Sequence, residues 1–135
     1  MKNINFLFMM LAISLASFAQ TASVTFNVNM SLEDVSADGV SLAGGADFGY
    51  PGDNPMTDED GDGTYSITML LDEGFASHYT FLNGNCGDWS CKENLAGQEC
   101  SNADHYNDRF LSAVTGPTTI STCFGECSED GSCTP

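Results

Sequence analysis

Val24-Thr25-Phe26-Asn27-Val28-Asn29-Met30 is the stretch that decides the fold. Apolar and polar residues alternate along its whole length, which places every apolar side chain on one face of an extended strand. The same alternation recurs over residues 65–71 and 78–82, and Val40-Ser41-Leu42 begins a further strand. Turn-forming Gly, Asp and Asn residues separate these segments, so the first half of the chain predicts successive β-strands.

The rest of the chain fits an all-β fold. Residues 109–111 and 118–122 predict two short strands, and residues 49–63, rich in Gly, Pro, Asn and Asp, predict a loop. No segment of ten or more residues after the amino terminus has a helical period. Short strands without intervening helices predict an antiparallel β-sandwich of the immunoglobulin-like kind. The residues expected to face its core are Val24, Phe26, Val28, Val40, Leu42, Tyr65, Ile67, Met69, Tyr79 and Phe81.

The amino terminus has the parts of a secretory signal peptide. Lys2 supplies the positive charge, residues 6–16 are apolar, and Ser17-Phe18-Ala19 is a small-residue cleavage site, which predicts cleavage after Ala19. The alternative is a retained membrane anchor, but the apolar run is too short to span a bilayer and no stop-transfer pattern follows it. We therefore expect residues 20–135 to form one secreted domain, extracellular or at the cell surface.

All six cysteines lie in residues 85–135, which predicts a disulfide-rich second half. An even number of cysteines in an exported chain favours three disulfides over a zinc site, because no Cys-x2-Cys pair or nearby His completes the Cys123-x3-Cys127 spacing. We expect Cys86 to pair with Cys91. Cys100 is expected to pair with one of Cys123 and Cys127, and the other of these two with Cys133.

The charge of the chain limits its partners. Cleavage leaves two strong cations, Lys92 and Arg109, and 2 minus 19 Asp and Glu gives a net charge near −17. Such a surface repels phosphate backbones and anionic lipid heads, so we expect neither nucleic-acid binding nor membrane insertion. Neutral sugars and divalent cations are the partners that this charge permits.

Four short motifs carry a resemblance to a known family. They are residues 24–30, residues 40–45, the Asp-Gly-Asp-Gly-Thr-Tyr hairpin that ends at Tyr65, and His78-Tyr-Thr-Phe-Leu-Asn-Gly84. Together they resemble starch-binding-type β-sandwich modules, and the cysteine-bearing remainder looks like a secreted variant of that module. The resemblance implies a starch-binding-like sandwich and carbohydrate binding through paired aromatic side chains. Because the chain has a single Trp, the paired-tryptophan site of those modules is not reproduced.

Asp58, Asp60 and Asp62 form a candidate metal site. Carboxylates at every second position, with Gly61 and Gly63 between and after them, can converge on a hard cation such as Ca²⁺. The site is not an EF-hand, because Met69 occupies the twelfth position where a bidentate Glu would lie. The alternative is a solvated hairpin turn that needs no ion, since Asp-Gly pairs favour turns by themselves.

Trp89 is the main candidate for sugar binding, with Asn94 and Gln98 as hydrogen-bonding neighbours in the same polar loop. An exposed indole offers a flat apolar face for the C–H groups of a sugar, and amides both donate to and accept from hydroxyls. The alternative is that Trp89 caps the core beside a Cys86–Cys91 disulfide.

Further candidate ligand residues are Phe48, Tyr50, Tyr106 and Arg109. The two aromatic residues that flank Gly49 are equally suited to packing. A short-range ion pair with Asp108 or Asp104 is the alternative for Arg109. His78 and His105 belong to no recognisable motif, and we expect both to be structural.

The sequence contains no catalytic motif, so we do not expect an enzyme. The leading hypothesis is a non-catalytic extracellular carbohydrate-binding module that recognises a neutral polysaccharide or oligosaccharide by aromatic stacking and polar contacts. Ca²⁺ is the only candidate cofactor. The alternative hypothesis is a structural or adhesive surface module, stabilised by Ca²⁺, that contacts proteins or other copies of itself. A small hydrolase is the third hypothesis.

Overall fold

The computed structural model describes residues 16–135 and contains seven strands and one short 3-10 turn, Ala103–His105. All but the last four residues of the predicted signal peptide lie outside the described residues. The strands are β1 Thr21–Asn29, β2 Val40–Ala43, β3 Asn54–Met56, β4 Thr64–Asp72, β5 Ser77–Asn83, β6 Arg109–Leu111 and β7 Thr118–Cys123. The all-β class predicted from the sequence is confirmed.

The strands form two sheets, one in the order β4-β1-β7 and the other in the order β3-β2-β5-β6. The arrangement is consistent with a β-sandwich. Neighbouring strands are antiparallel, as predicted, except that β7 lies parallel to β1, with Val24 opposite Thr118. A parallel pair cannot be joined by a tight turn. Here the connection contains strands β2 to β6. The alternation of residues within a single strand does not predict such a long-range pairing.

One hydrophobic core lies between the sheets. All ten residues predicted to face inward belong to it or pack against it, because alternation along a strand puts every second side chain on the same face. Phe26 has no exposed surface, and its ring lies edge-on to Phe48 and Tyr79 at centroid distances of 5.8 and 5.0 Å. Edge-to-face packing of this kind adds to the stabilisation from burial alone.

Two parts of the fold differ from the predictions. β3 lies within residues 49–63, which were expected to be a loop, because Met56 turns inward and pairs with Val40. In β5 both faces are buried, although its alternation predicted one solvent-facing side. The second face is covered by the disulfide-rich region, where Glu93 accepts a hydrogen bond from the amide of Phe81 at 3.2 Å.

Three disulfides hold the second half of the chain, and their pairing agrees with the prediction. Cys86 is bonded to Cys91, and the other two bonds are Cys100–Cys127 and Cys123–Cys133. No cysteine is free in the described part of the chain, so the zinc alternative is wrong. The bonds substitute for regular hydrogen bonding in a region that has little β-structure of its own.

Candidate functional site

A cleft of about 660 Å³ opens at the end of the sheet that contains β5. Four segments line it: the glycine-containing loop after β2, the first residues of β5, the disulfide loop around Trp89, and the segment from His105 to Asp108. Gly44 sets the floor of the cleft. A Cβ at this position would lie 2.4 Å from the carbonyl oxygen of His78, so only glycine permits so close an approach to β5.

Trp89 forms one wall of the cleft. It lies in the short loop, residues 87–90, closed by Cys86 and Cys91, and its amide donates to the carbonyl of Cys86 at 3.1 Å. Its φ of 65° is left-handed, a conformation that a bulky residue adopts only when its surroundings impose it. The indole is partly exposed and lies edge-on to Tyr50, with ring centroids 6.3 Å apart. Trp89 is not among the residues that pack against the hydrophobic core.

Tyr106 also lines the cleft. It follows the 3-10 turn in a left-handed conformation, with φ 55°, and its side chain is 85% exposed. The Lys92 ammonium donates to the carbonyl oxygen of Tyr106 and forms an ion pair with Asp108. Because Lys92 is only three residues from Trp89, this contact ties the segments that carry the two aromatic residues to each other.

His78 and His105 meet at the side of the cleft, a pairing that the sequence did not predict. Their rings are stacked at a centroid distance of 3.8 Å and an interplanar angle of 12°. Desolvation and the neighbouring His105 lower the pKa of His78, and the charge of Asp108 opposes that shift. Burial raises the pKa of Asp108, and its bond to Lys92 opposes that effect.

Among known proteins, no family model matches this sequence, and no curated protein is similar to it. The starch-binding-type resemblance therefore stays a prediction from the sequence. Within residues 16–135, no helix has both the length and the apolar character needed to cross a membrane.

The structure places Trp89 and Tyr106 in the cleft lining, with Tyr50 edge-on to Trp89, and places the other predicted ligand residues elsewhere. Phe48 is 1% exposed and belongs to the core, which settles its packing role. The Gln98 side chain donates to the Gly125 carbonyl at 2.8 Å and accepts from the Cys127 amide at 2.9 Å, so it holds two loops together. Asn94 is exposed outside the cleft and accepts a hydrogen bond from the amide of Ala96.

Arg109 lies inside the protein at 5% exposure, and its predicted pairing with Asp108 or Asp104 is wrong. Its guanidinium instead forms a bidentate pair with Glu93, at 2.9 and 2.7 Å, and donates to the hydroxyl of Thr122 at 2.9 Å. Carbonyl oxygens of Cys123 and Glu126 accept further bonds. A buried guanidinium needs this full set of partners. Arg109 therefore holds β6, β7 and the disulfide region together and does not face a ligand.

The acidic loop folds as a self-capped turn. One oxygen from each of Asp58, Asp60 and Asp62 lies within 4.8 Å of the others. The same carboxylates accept hydrogen bonds from backbone amides of the turn, including Gly63 to Asp58 at 3.0 Å and Thr64 to Asp62 at 2.8 Å. The amide of Asp62 lowers the pKa of Asp60, but desolvation and the adjacent carboxylates outweigh it, so that pKa is raised.

Proposed function

We propose that this protein is a non-catalytic extracellular module that binds a neutral glycan in the cleft between Trp89 and Tyr106. The observation that carries the proposal is that Trp89 and Tyr106 line one cleft that also presents polar side chains, with Tyr50 edge-on to Trp89. Aromatic rings match the apolar C–H faces of a sugar, and a small number of fixed polar groups orients its hydroxyls.

The polar groups of the cleft suit hydroxyl recognition. Asp47 accepts a hydrogen bond from the Ser77 hydroxyl at 2.6 Å, and Asp108 is held by Lys92. Each carboxylate has lone pairs left to accept from a sugar hydroxyl, and the Lys92 ammonium has a further hydrogen to donate. Because both carboxylates already have partners in the protein, they are suited to orienting a ligand rather than to the acid–base exchange of a glycosidase.

The charge and the disulfides support the remaining parts of the proposal. A net charge of −16 for the full chain disfavours polyanionic glycans and leaves neutral ones. Three disulfides are compatible with an extracellular protein, and together with the signal-like amino terminus they support secretion. Ca²⁺ at Asp58, Asp60 and Asp62 is proposed as a stabilising ion that takes no part in sugar binding.

Affinity gel electrophoresis tests the proposal. The folded protein is run through gels that contain starch, a neutral β-glucan, xylan or mannan, with alginate as a charged control. We expect retardation by at least one neutral polysaccharide and none by alginate. Trp89→Ala and Tyr106→Ala should each weaken the retardation. Leu70→Ala is the matched control, because Leu70 is 74% exposed on the other sheet.

Two outcomes would contradict the proposal. One is normal mobility in every neutral gel, and the other is retardation that survives in the Trp89→Ala, Tyr106→Ala double variant. Concentration-dependent self-association without any retardation would support the adhesive alternative instead.

A further inference from the structure

The loop from Asn102 to Asn107 carries Tyr106, and side-chain contacts hold it in place. Within the loop, the Asn102 side chain accepts from the amide of Asp104 at 3.0 Å and so caps the 3-10 turn. Outside the loop, Lys92 donates to the Tyr106 carbonyl. The loop also contacts His78 of β5, through both Asn102 and His105.

The bond between Asn102 and His78 determines which form of the imidazole is present. Because the Asn102 oxygen is engaged by Asp104, its amide nitrogen faces His78, and it lies 3.2 Å from Nε2. An amide nitrogen offers only hydrogens, so Nε2 must accept. His78 is therefore neutral, with its proton on Nδ1, when the loop is docked.

The stack with His105 disfavours a charge on both imidazole rings at once. Two imidazolium rings with centroids 3.8 Å apart would repel each other, whereas neutral rings stack favourably. Phe110 of β6 packs against the same imidazole at 4.9 Å and offers no charge to stabilise a cation. Protonation of His78 thus removes the acceptor for Asn102, and it adds a repulsion across the stack when His105 is charged.

The charged groups around His78 come from every segment that lines the cleft. His105 lies on the 3-10 turn, Asp108 precedes β6, Asp47 lies on the loop after β2, and Lys92 lies on the disulfide region. Asp108 favours the charged imidazole, but it is already paired with Lys92.

We propose that His78 is a positioning residue that docks the Asn102–Asn107 loop on the sheet, and that acid releases this loop and weakens ligand binding by displacing Tyr106. The binding part of this inference rests on the proposed function, whereas the docking part does not. A lowered pKa means that the neutral, docking form of His78 is fully present above the ordinary value of 6.5. Its contribution to loop docking is lost as the pH falls below that value.

Nuclear magnetic resonance on the folded, disulfide-bonded protein without ligand tests the docking part. The imidazole protons of His78 and His105, and the amides of residues 102–107, are followed from about pH 8 to 5, the range in which histidines titrate. We expect the loop amides to become mobile with the same midpoint as His78, below 6.5. The heteronuclear NOE of these amides should fall together with that transition.

Two variants separate positioning from general structure. His78→Gln keeps an acceptor near Nε2 but does not titrate, so its loop should show no transition across this range. His105→Gln removes the neighbouring charge, so the midpoint of His78 should move upward. Loop amides that stay rigid while His78 titrates, or a His78→Gln loop that still opens in acid, would overturn the inference. His105→Gln keeps the test valid if His78→Gln fails to fold.

The binding arm uses whichever neutral polysaccharide retards the wild-type protein at about pH 8. The apparent affinity is proportional to the fraction of molecules whose loop is docked. Release of the loop in nine molecules of ten should therefore weaken retention about tenfold. His78→Gln should retain its affinity in acid. Retention that is equally strong at both pH values in a protein whose loop opens would overturn the coupling to binding. If the loop opens in acid but no polysaccharide binds at any pH, the proposed function is contradicted and the docking role of His78 is supported.

Discussion

Trp89 combines an unfavourable backbone conformation with a partly exposed side chain, and this combination separates its effect on binding from its effect on stability. Trp89→Ala should weaken glycan retention by about 1–3 kcal/mol, as loss of an interface anchor does, and change the melting temperature little. Trp89→Gly should be more stable than Trp89→Ala by about 1 kcal/mol, because only glycine adopts φ 65° without strain. Thermal melts beside affinity gels measure both effects. A large stability loss in both variants, with unchanged retention, would contradict a binding role.

Substitutions in the Glu93–Arg109 pair should lower the free energy of unfolding, unlike the Trp89→Ala substitution, which should mainly weaken binding. Both side chains are almost fully buried, so Glu93→Gln or Arg109→Met leaves an uncompensated charge and should cost about 3–5 kcal/mol in the free energy of unfolding. The double variant Glu93→Leu, Arg109→Met should cost less than the sum of the single variants. Urea unfolding of the four proteins measures this coupling, and strictly additive losses would show that the pair does not act as a unit.

Single residues also show how far the site could be predicted. Trp89 and Tyr106 could be predicted from the sequence as large aromatics in polar loops, but the same reasoning also selected Phe48, which is buried in the core. Arg109 could not be placed, since β6 turns it beneath the disulfide region toward Glu93. The stack of His78 on His105 joins a strand to a distant loop, and nothing near either residue indicates it.

Among the elements, the acidic turn before β4 is the one whose stability should depend on an ion. Its carboxylates already cap backbone amides, so the turn forms without metal, and Ca²⁺ would add to an existing structure. We expect millimolar Ca²⁺ to raise the melting temperature by mass action. Asp60→Ala should abolish that rise, whereas Asp38→Ala, at an exposed position outside the turn, should not. A melting temperature that changes with neither Ca²⁺ nor EDTA would contradict the ion site and support the metal-free turn.

The strands were predicted well where local pattern alone determines them. β1 and β4 have regular alternation; the inward residues of β1 lie in the core, and those of β4 pack against it. β3 is only three residues long and contains Pro55, so its sequence has the composition of a loop. The parallel pairing of β7 with β1 depends on the path of the whole chain between them, which no local period encodes.

For the molecule as a whole, charge is the dominant feature, and it affects stability and binding differently. The full chain has 3 Lys and Arg against 19 Asp and Glu. Self-repulsion of such a surface destabilises the compact state, and salt screens it, since the Debye length falls to about 8 Å at physiological ionic strength. Raising NaCl from about 20 to 300 mM should therefore increase stability by an amount on the order of 1 kcal/mol, or about 4 °C in melting temperature.

The same salt series should leave glycan retention unchanged, because a neutral ligand held by stacking and hydrogen bonds releases no counterions. NaCl is the appropriate salt, since a divalent cation would also act on the turn at Asp58, Asp60 and Asp62. Affinity gels at the two salt concentrations, beside thermal melts of the same samples, make the comparison. Retention that weakens steeply with NaCl would mean that charged groups carry the contact, and a neutral glycan would then be the wrong ligand for this cleft.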